Sequence, residues 1–97
     1  MNDKIKSKST DRLFEAVLKL KNTDECYKFF DDICTVSEIK ALSQRFEVAE
    51  MLTEKKHYGE IAEFTGASTA TISRVNRSLV YGSDGYKIVL ERLKDDK

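Results

Sequence analysis

The chain has no proline and no tryptophan, and its 97 residues include only four glycines, two cysteines and one histidine. Each scarcity excludes something. Without proline, no residue obliges a helix to kink, so helices run until a glycine or a capping residue ends them. The few glycines form no phosphate-cradling loop, since Gly66 is followed by no Gly-Lys-Ser/Thr ending. Cys26 and Cys34 have no second cysteine pair and no companion histidine. On a continuous helix their spacing spans about 12 Å, beyond the reach of a disulfide. They are expected to be reduced thiols in a cytosolic protein. His57 is expected in or near a turn, and no nucleophile–base pair, carboxylate pair or Cys/His/Asp cluster makes a catalytic pattern, so no enzyme is expected. No apolar run is long enough for a signal peptide or a membrane span, and the expected location is cytoplasmic.

Charge is plentiful but balanced: 17 Lys and Arg against 17 Asp and Glu, for a formal net charge of zero. Composition therefore does not announce a nucleic-acid binder, and any attraction to phosphate must come from local segregation. Basic residues gather at Lys4, Lys6, Lys8 and Arg12 and again at Arg74 and Arg77. Acids lie elsewhere, at Asp24, Glu25, Asp31, Asp32, Glu47, Glu50, Glu60 and Glu63.

The most informative passage runs from Tyr58 to Arg74 and reads as two short helices joined by a tight turn. Ile61, Ala62 and Phe64 give the first helix an apolar inner side, with small Ala62 where two helix axes cross. Gly66 stands where the chain leaves that helix, a position that favours a left-handed backbone. Ser68 caps the second helix, on which Ile72, Val75 and Leu79 recur at helical spacing. This is a helix-turn-helix over about 58–80, whose second helix enters the major groove of DNA. With Ile72, Val75 and Leu79 inside, about 100° per residue puts Ala70, Ser73, Arg74 and Arg77 outside. No acidic residue occurs between Phe64 and Ser83, which suits a surface that meets phosphates. Ser68, Thr69, Ala70 and Thr71 open the second helix, where small side chains offer methyl contacts to thymine and hydroxyls that bond through water. The expected DNA-binding residues are therefore Ser68, Thr69, Ala70, Thr71, Ser73, Arg74 and Arg77.

The remaining segments also read as helices, with no segment of period two. Residues 1–9 are lysine-rich and aperiodic, a mobile arm. Residues 10–97 form one helical domain. Thr10 or Ser9 caps a helix bearing Leu13, Phe14, Val17, Leu18 and Leu20. Asn22 with Glu25 opens a second, bearing Tyr27, Phe29, Phe30 and Ile33. Thr35 and Glu38 have capping-box spacing and open the longest, from about Ser37 to Lys55, with a wide apolar side of Ile39, Leu42, Phe46, Val48, Ala49 and Leu52. Arg45 falls inside that stripe, so it needs a carboxylate such as Glu38 or Glu50, carbonyls or an anionic ligand. A turn over Tyr81–Gly85 precedes a last helix with Tyr86, Ile88, Val89, Leu90 and Leu93. The fold class is all-α with about six helices. Phe14, Phe29, Phe30 and Phe46 exceed what a small monomer buries, which points to a two-fold dimer that sets two recognition helices about one DNA turn apart.

The run Gly66–Arg74, with Asn76, Ser78 and Leu79 after it, resembles the recognition segment of the tryptophan repressor family. Thr35–Arg45, with Glu38, Ala41, Leu42 and Arg45, resembles that family's third helix. The similarity extends over about Thr10–Leu93 and is nearest to the YerC/YecD-like branch of the family in Firmicutes. It implies an intertwined all-α homodimer that acts as a transcriptional regulator, a repressor, on double-stranded operator DNA, with an unidentified small-molecule effector as a candidate partner; the alternative is a helical dimeric protein-interaction module without DNA binding. The resemblance maps the effector-binding positions onto Thr35, Arg45, Arg74 and Ser78. Val75 stands where the repressor has a glycine that leaves room for an indole, and Asp32 and Cys34 replace two leucines. L-tryptophan is therefore not the expected effector, and no other cofactor is implied.

Overall fold

The computed structural model describes residues 2–96, which fold as α1 (Lys8–Val17), α2 (Thr23–Ile33), α3 (Val36–Thr53), α4 (Tyr58–Thr65), α5 (Thr69–Tyr81) and α6 (Gly85–Asp95), with a 3-10 turn at Asp3–Ile5. No strand occurs among the described residues, so the all-α expectation holds with six α-helices. None of these helices is long and apolar enough to cross a membrane.

The chain separates into two compact units, 1–39 and 40–97, with the division inside α3. The physical reason for the division lies in burial. Among the described residues, all eight buried apolar ones (Val48, Ala49, Ile61, Ala67, Ile72, Val75, Leu79 and Leu90) belong to the second unit.

In the first unit, side-chain caps decide where helices begin. Ser7 Oγ accepts from the Thr10 backbone N–H at 3.0 Å and pairs with the Thr10 hydroxyl at 2.9 Å. Ser7 is thus the N-cap of α1, rather than Ser9 or Thr10. The expected nine-residue arm accordingly holds the 3-10 turn, capped by Asn2, and the first residues of α1. Asn22 Oδ1 accepts from the Glu25 N–H at 2.9 Å, while Glu25 Oε1 accepts from the Lys21 N–H at 2.9 Å. The Thr35–Glu38 pair is a reciprocal capping box: Thr35 Oγ1 accepts from Glu38 N–H at 3.1 Å, and Glu38 Oε1 from Thr35 N–H at 2.8 Å. The Thr35 backbone N–H, and after it the Thr35 hydroxyl, keep the Glu38 carboxyl below its ordinary value of 4.5. No residue of α1 or α2 is buried; Phe29 and Phe30 are half-buried and meet edge to face at 5.5 Å. Phe14 is 53% exposed and Leu18 83%.

In the second unit, Val48 and Ala49 of α3 meet Ile61 of α4, Ile72, Val75 and Leu79 of α5, and Leu90 of α6 in one core. Each fully buried Val, Ile or Leu contributes about 1.5–3 kcal/mol. Phe46, Met51, Leu52, Ala62 and Tyr86 pack on it half-exposed. The wide apolar side read on α3 is therefore buried only toward its C-terminal half, with Leu42 still 46% exposed. On α6 the apolar residues are shared among faces: Leu90 is buried, while Ile88, Val89 and Leu93 are each about half exposed.

A candidate DNA-binding helix-turn-helix

The turn between α4 and α5 is built as a braced corner. Gly66 ends α4 at φ 75°, ψ 5°, the left-handed conformation its position called for, and its N–H donates to the Ala62 carbonyl at 2.9 Å. Thr65 turns inward: its hydroxyl donates to the Ile61 carbonyl at 2.7 Å and accepts from the Ala67 N–H at 3.1 Å. Gln44 Nε2, from α3, donates to the Thr65 carbonyl at 3.1 Å. Ala67 then enters the core at 4% exposure. Sequence reasoning found Gly66 but missed Gln44, Thr65 and Ala67. A period-2 or period-3.6 pattern carries no signal for a bond between residues on different helices.

Ser68 caps α5 as expected, its Oγ accepting from the Thr71 N–H at 3.1 Å. Its hydroxyl also donates to Thr71 Oγ1 at 3.1 Å, and Thr71 is half-buried. Of the four residues expected to read bases, Ser68 and Thr71 thus commit their hydroxyls to the cap, whereas Thr69 and Ala70 stand exposed and unencumbered. Ile72, Val75 and Leu79 are 0%, 1% and 9% exposed, so α5 is oriented as its sequence pattern required. Ser73, Arg74 and Arg77 lie exposed on the other side. The ion pairs among the described residues are Arg12–Glu15, Lys28–Asp24 and Lys87–Asp84, so neither arginine of α5 is neutralised by a carboxylate.

One residue of α4 departs from expectation. Phe64, read as part of the inner side, is 70% exposed. Ile61 occupies the centre of the buried side, and Phe64 lies about 60° to its flank. There it lines an open cleft of about 660 Å³ with Met51, Glu54, Lys56, Glu60 and Glu63. The Glu60 carboxylate accepts from the His57 N–H at 3.2 Å, placing His57 at the start of α4.

The four effector positions are divided. Thr35 belongs to the first unit and is engaged in the α3 cap, while Arg45, Arg74 and Ser78 belong to the second. Ser78 lines a cleft of about 500 Å³ with Phe46, Gly82, Ser83, Gly85, Tyr86 and Val89, and neither arginine is among its lining residues. Arg45 is half-buried and forms none of the ion pairs above. The pairing with Glu38 or Glu50 considered from the sequence is therefore not made, because Glu38 is committed to the cap of α3 and Glu50 stays exposed. Val75 is closed into the core rather than facing an open space.

The same fold recurs in known proteins. The family model described as Trp repressor protein matches residues 8–94. The uncharacterized protein YerC of Bacillus subtilis (strain 168) is 55% identical over 93 residues, covering 96% of this chain and 89% of that protein. A crystal structure of a TrpR like protein from Eubacterium eligens ATCC 27750 is 62% identical, superposes with a TM-score of 0.92 and covers 96% of both chains. A candidate Trp repressor from Staphylococcus aureus is 50% identical, with a TM-score of 0.93 over 97% of this chain and 95% of its own. Matched over most of its length by both the family model and these relatives, the chain belongs to the Trp repressor family.

Proposed function

We propose that the protein is a sequence-specific DNA-binding transcriptional regulator, a repressor that acts as a homodimer with α5 in the major groove. The observation that carries this reading is the outer face of α5, where Arg74 and Arg77 are exposed and free of ion pairs in a stretch without an acid from Phe64 to Ser83. Exposed cations without internal partners suit phosphate oxygens, and each such contact adds sequence-independent affinity. Thr69, Ala70 and Ser73 are the short side chains that face the bases. They favour thymine methyl contacts and water-bridged bonds over bidentate forks.

The brace through Gln44, Thr65 and Gly66 ties α3, the end of α4 and the turn before α5 together through the protein's own groups. Buried Val75 supports the same view, because the position that would have to stay open for an indole is filled by the protein's own side chain. We read the regulator as one that does not use L-tryptophan. Selection of bound fragments from a genomic DNA library tests the function. The expected outcome is enrichment of two related half-sites about one helical turn apart, since a two-fold dimer presents two copies of α5. Recovery of fragments indistinguishable from the input would contradict it.

A further inference from the structure

Tyr81 is the last residue of α5, where the sequence pattern placed it in the following turn. Its side chain is 83% exposed and makes no hydrogen bond or ring contact among the described residues. At about 100° per residue it lies within about 40° of Ala70, Arg74 and Arg77, while its exposed neighbour Val80 points about 100° away. Tyr81 thus continues the outer line of the recognition helix.

Along that line the side chains are long after the first turn: a methyl at Ala70, then guanidiniums at Arg74 and Arg77 and a phenol at Tyr81. A rise of 1.5 Å per residue puts Tyr81 about 17 Å beyond Ala70. The major groove is about 12 Å wide. A helix whose N-terminal end enters the groove, seating Thr69 and Ala70 against base edges, carries Tyr81 outward to the groove wall, where sugar and phosphate are within reach. Gly82 lets the helix stop there. A Cβ at that position would lie 2.3 Å from the Ser78 carbonyl oxygen, so only glycine leaves the helix at that point without displacing backbone.

Resting on the DNA-binding reading, we infer that Tyr81 is a further positioning residue, its phenol O–H donating to a phosphate oxygen at the groove wall. A neutral donor differs from Arg74 and Arg77 in a measurable way. It adds affinity without neutralising a phosphate charge and so leaves the salt dependence unchanged.

The test compares full-length wild type, Tyr81→Phe and Arg77→Ala by fluorescence anisotropy on a labelled random-sequence duplex over a range of salt. Circular dichroism checks that the fold is retained; Tyr81→Phe keeps the ring and removes only the hydroxyl. Tyr81→Phe is expected to weaken binding about tenfold at every salt concentration, as loss of a hydrogen bond to a charged group would, with the wild-type slope of log affinity against log salt. Arg77→Ala is expected to lower that slope by about one. Tyr81→Phe affinity equal to wild type overturns the assignment, as does a loss accompanied by a changed slope. A wild type that binds no duplex overturns the DNA-binding reading as well, whereas binding by wild type and Tyr81→Phe alike removes only the role of Tyr81.

Discussion

Among single residues, two arginines are exposed where the fold has no need of them, and one valine is hidden. Arg74 and Arg77 lie on the outer face of α5 and contribute nothing to the core, so Arg74→Ala and Arg77→Ala should leave the thermal midpoint unchanged. Each should weaken binding to specific and random duplexes by similar factors and shrink the salt slope by about one. Unchanged affinity in both variants would remove α5 as the binding face. Val75 makes the opposite case. At 1% exposure its removal in Val75→Gly costs about 3 kcal/mol, from lost burial and from glycine in a helix interior. Calorimetry should find no L-tryptophan binding by the wild type, with binding gained in the glycine variant if the valine alone closes the site. Tight binding by the wild type would overturn the view that Val75 fills that space. Gly66, Ser68 and Val75 were all legible in the sequence because their roles are set within one or two helical turns. Phe64 was not: whether a flank position is covered depends on what the neighbouring segment brings to it, and here Met51 of α3 and Glu54 of the turn after it only line an open cleft.

At the scale of elements, caps and braces fix what the apolar pattern leaves loose. The Asn22 and Thr35–Glu38 caps were readable from spacing alone and formed as read. The start of α1 was misplaced because Ser7–Thr10 offers the same three-residue cap spacing before the positions first favoured. Glu38 yields a pH prediction. Its folded value lies below the ordinary 4.5, so its contribution is present above that pH and is lost as pH falls through the folded value. Glutamine accepts the same Thr35 N–H bond without titrating. Thermal midpoints measured from about pH 6 to about pH 3 should therefore fall less steeply for Glu38→Gln than for wild type. Parallel profiles would show that this cap does not shape the acid response. The Gln44–Thr65 bond was beyond sequence reasoning altogether, since it joins residues 21 apart on different helices.

At the scale of the whole molecule, the charge balance and the distribution of burial point in one direction. The protein carries no net charge, yet segregates its acids away from α5. The unit over 1–39 exposes Phe14, Leu18, Tyr27, Ile33 and Val36, and none of its described residues is buried. Such a surface suits the covering that a second copy would provide, the arrangement implied by the paired half-sites expected from genomic selection. The aromatic surplus behind this expectation was visible in the sequence. The division into two units was not, because amphipathic spacing shows that a helix has an apolar side and not what covers it. Whether α5 meets duplex DNA is decided by titrating the wild-type protein onto a random-sequence duplex at increasing salt. Binding is expected to be measurable, and its logarithm to fall linearly and steeply with the logarithm of salt concentration, as counterions are released. No association at low salt, or binding indifferent to salt, would contradict it and favour a helical module that recognises protein instead.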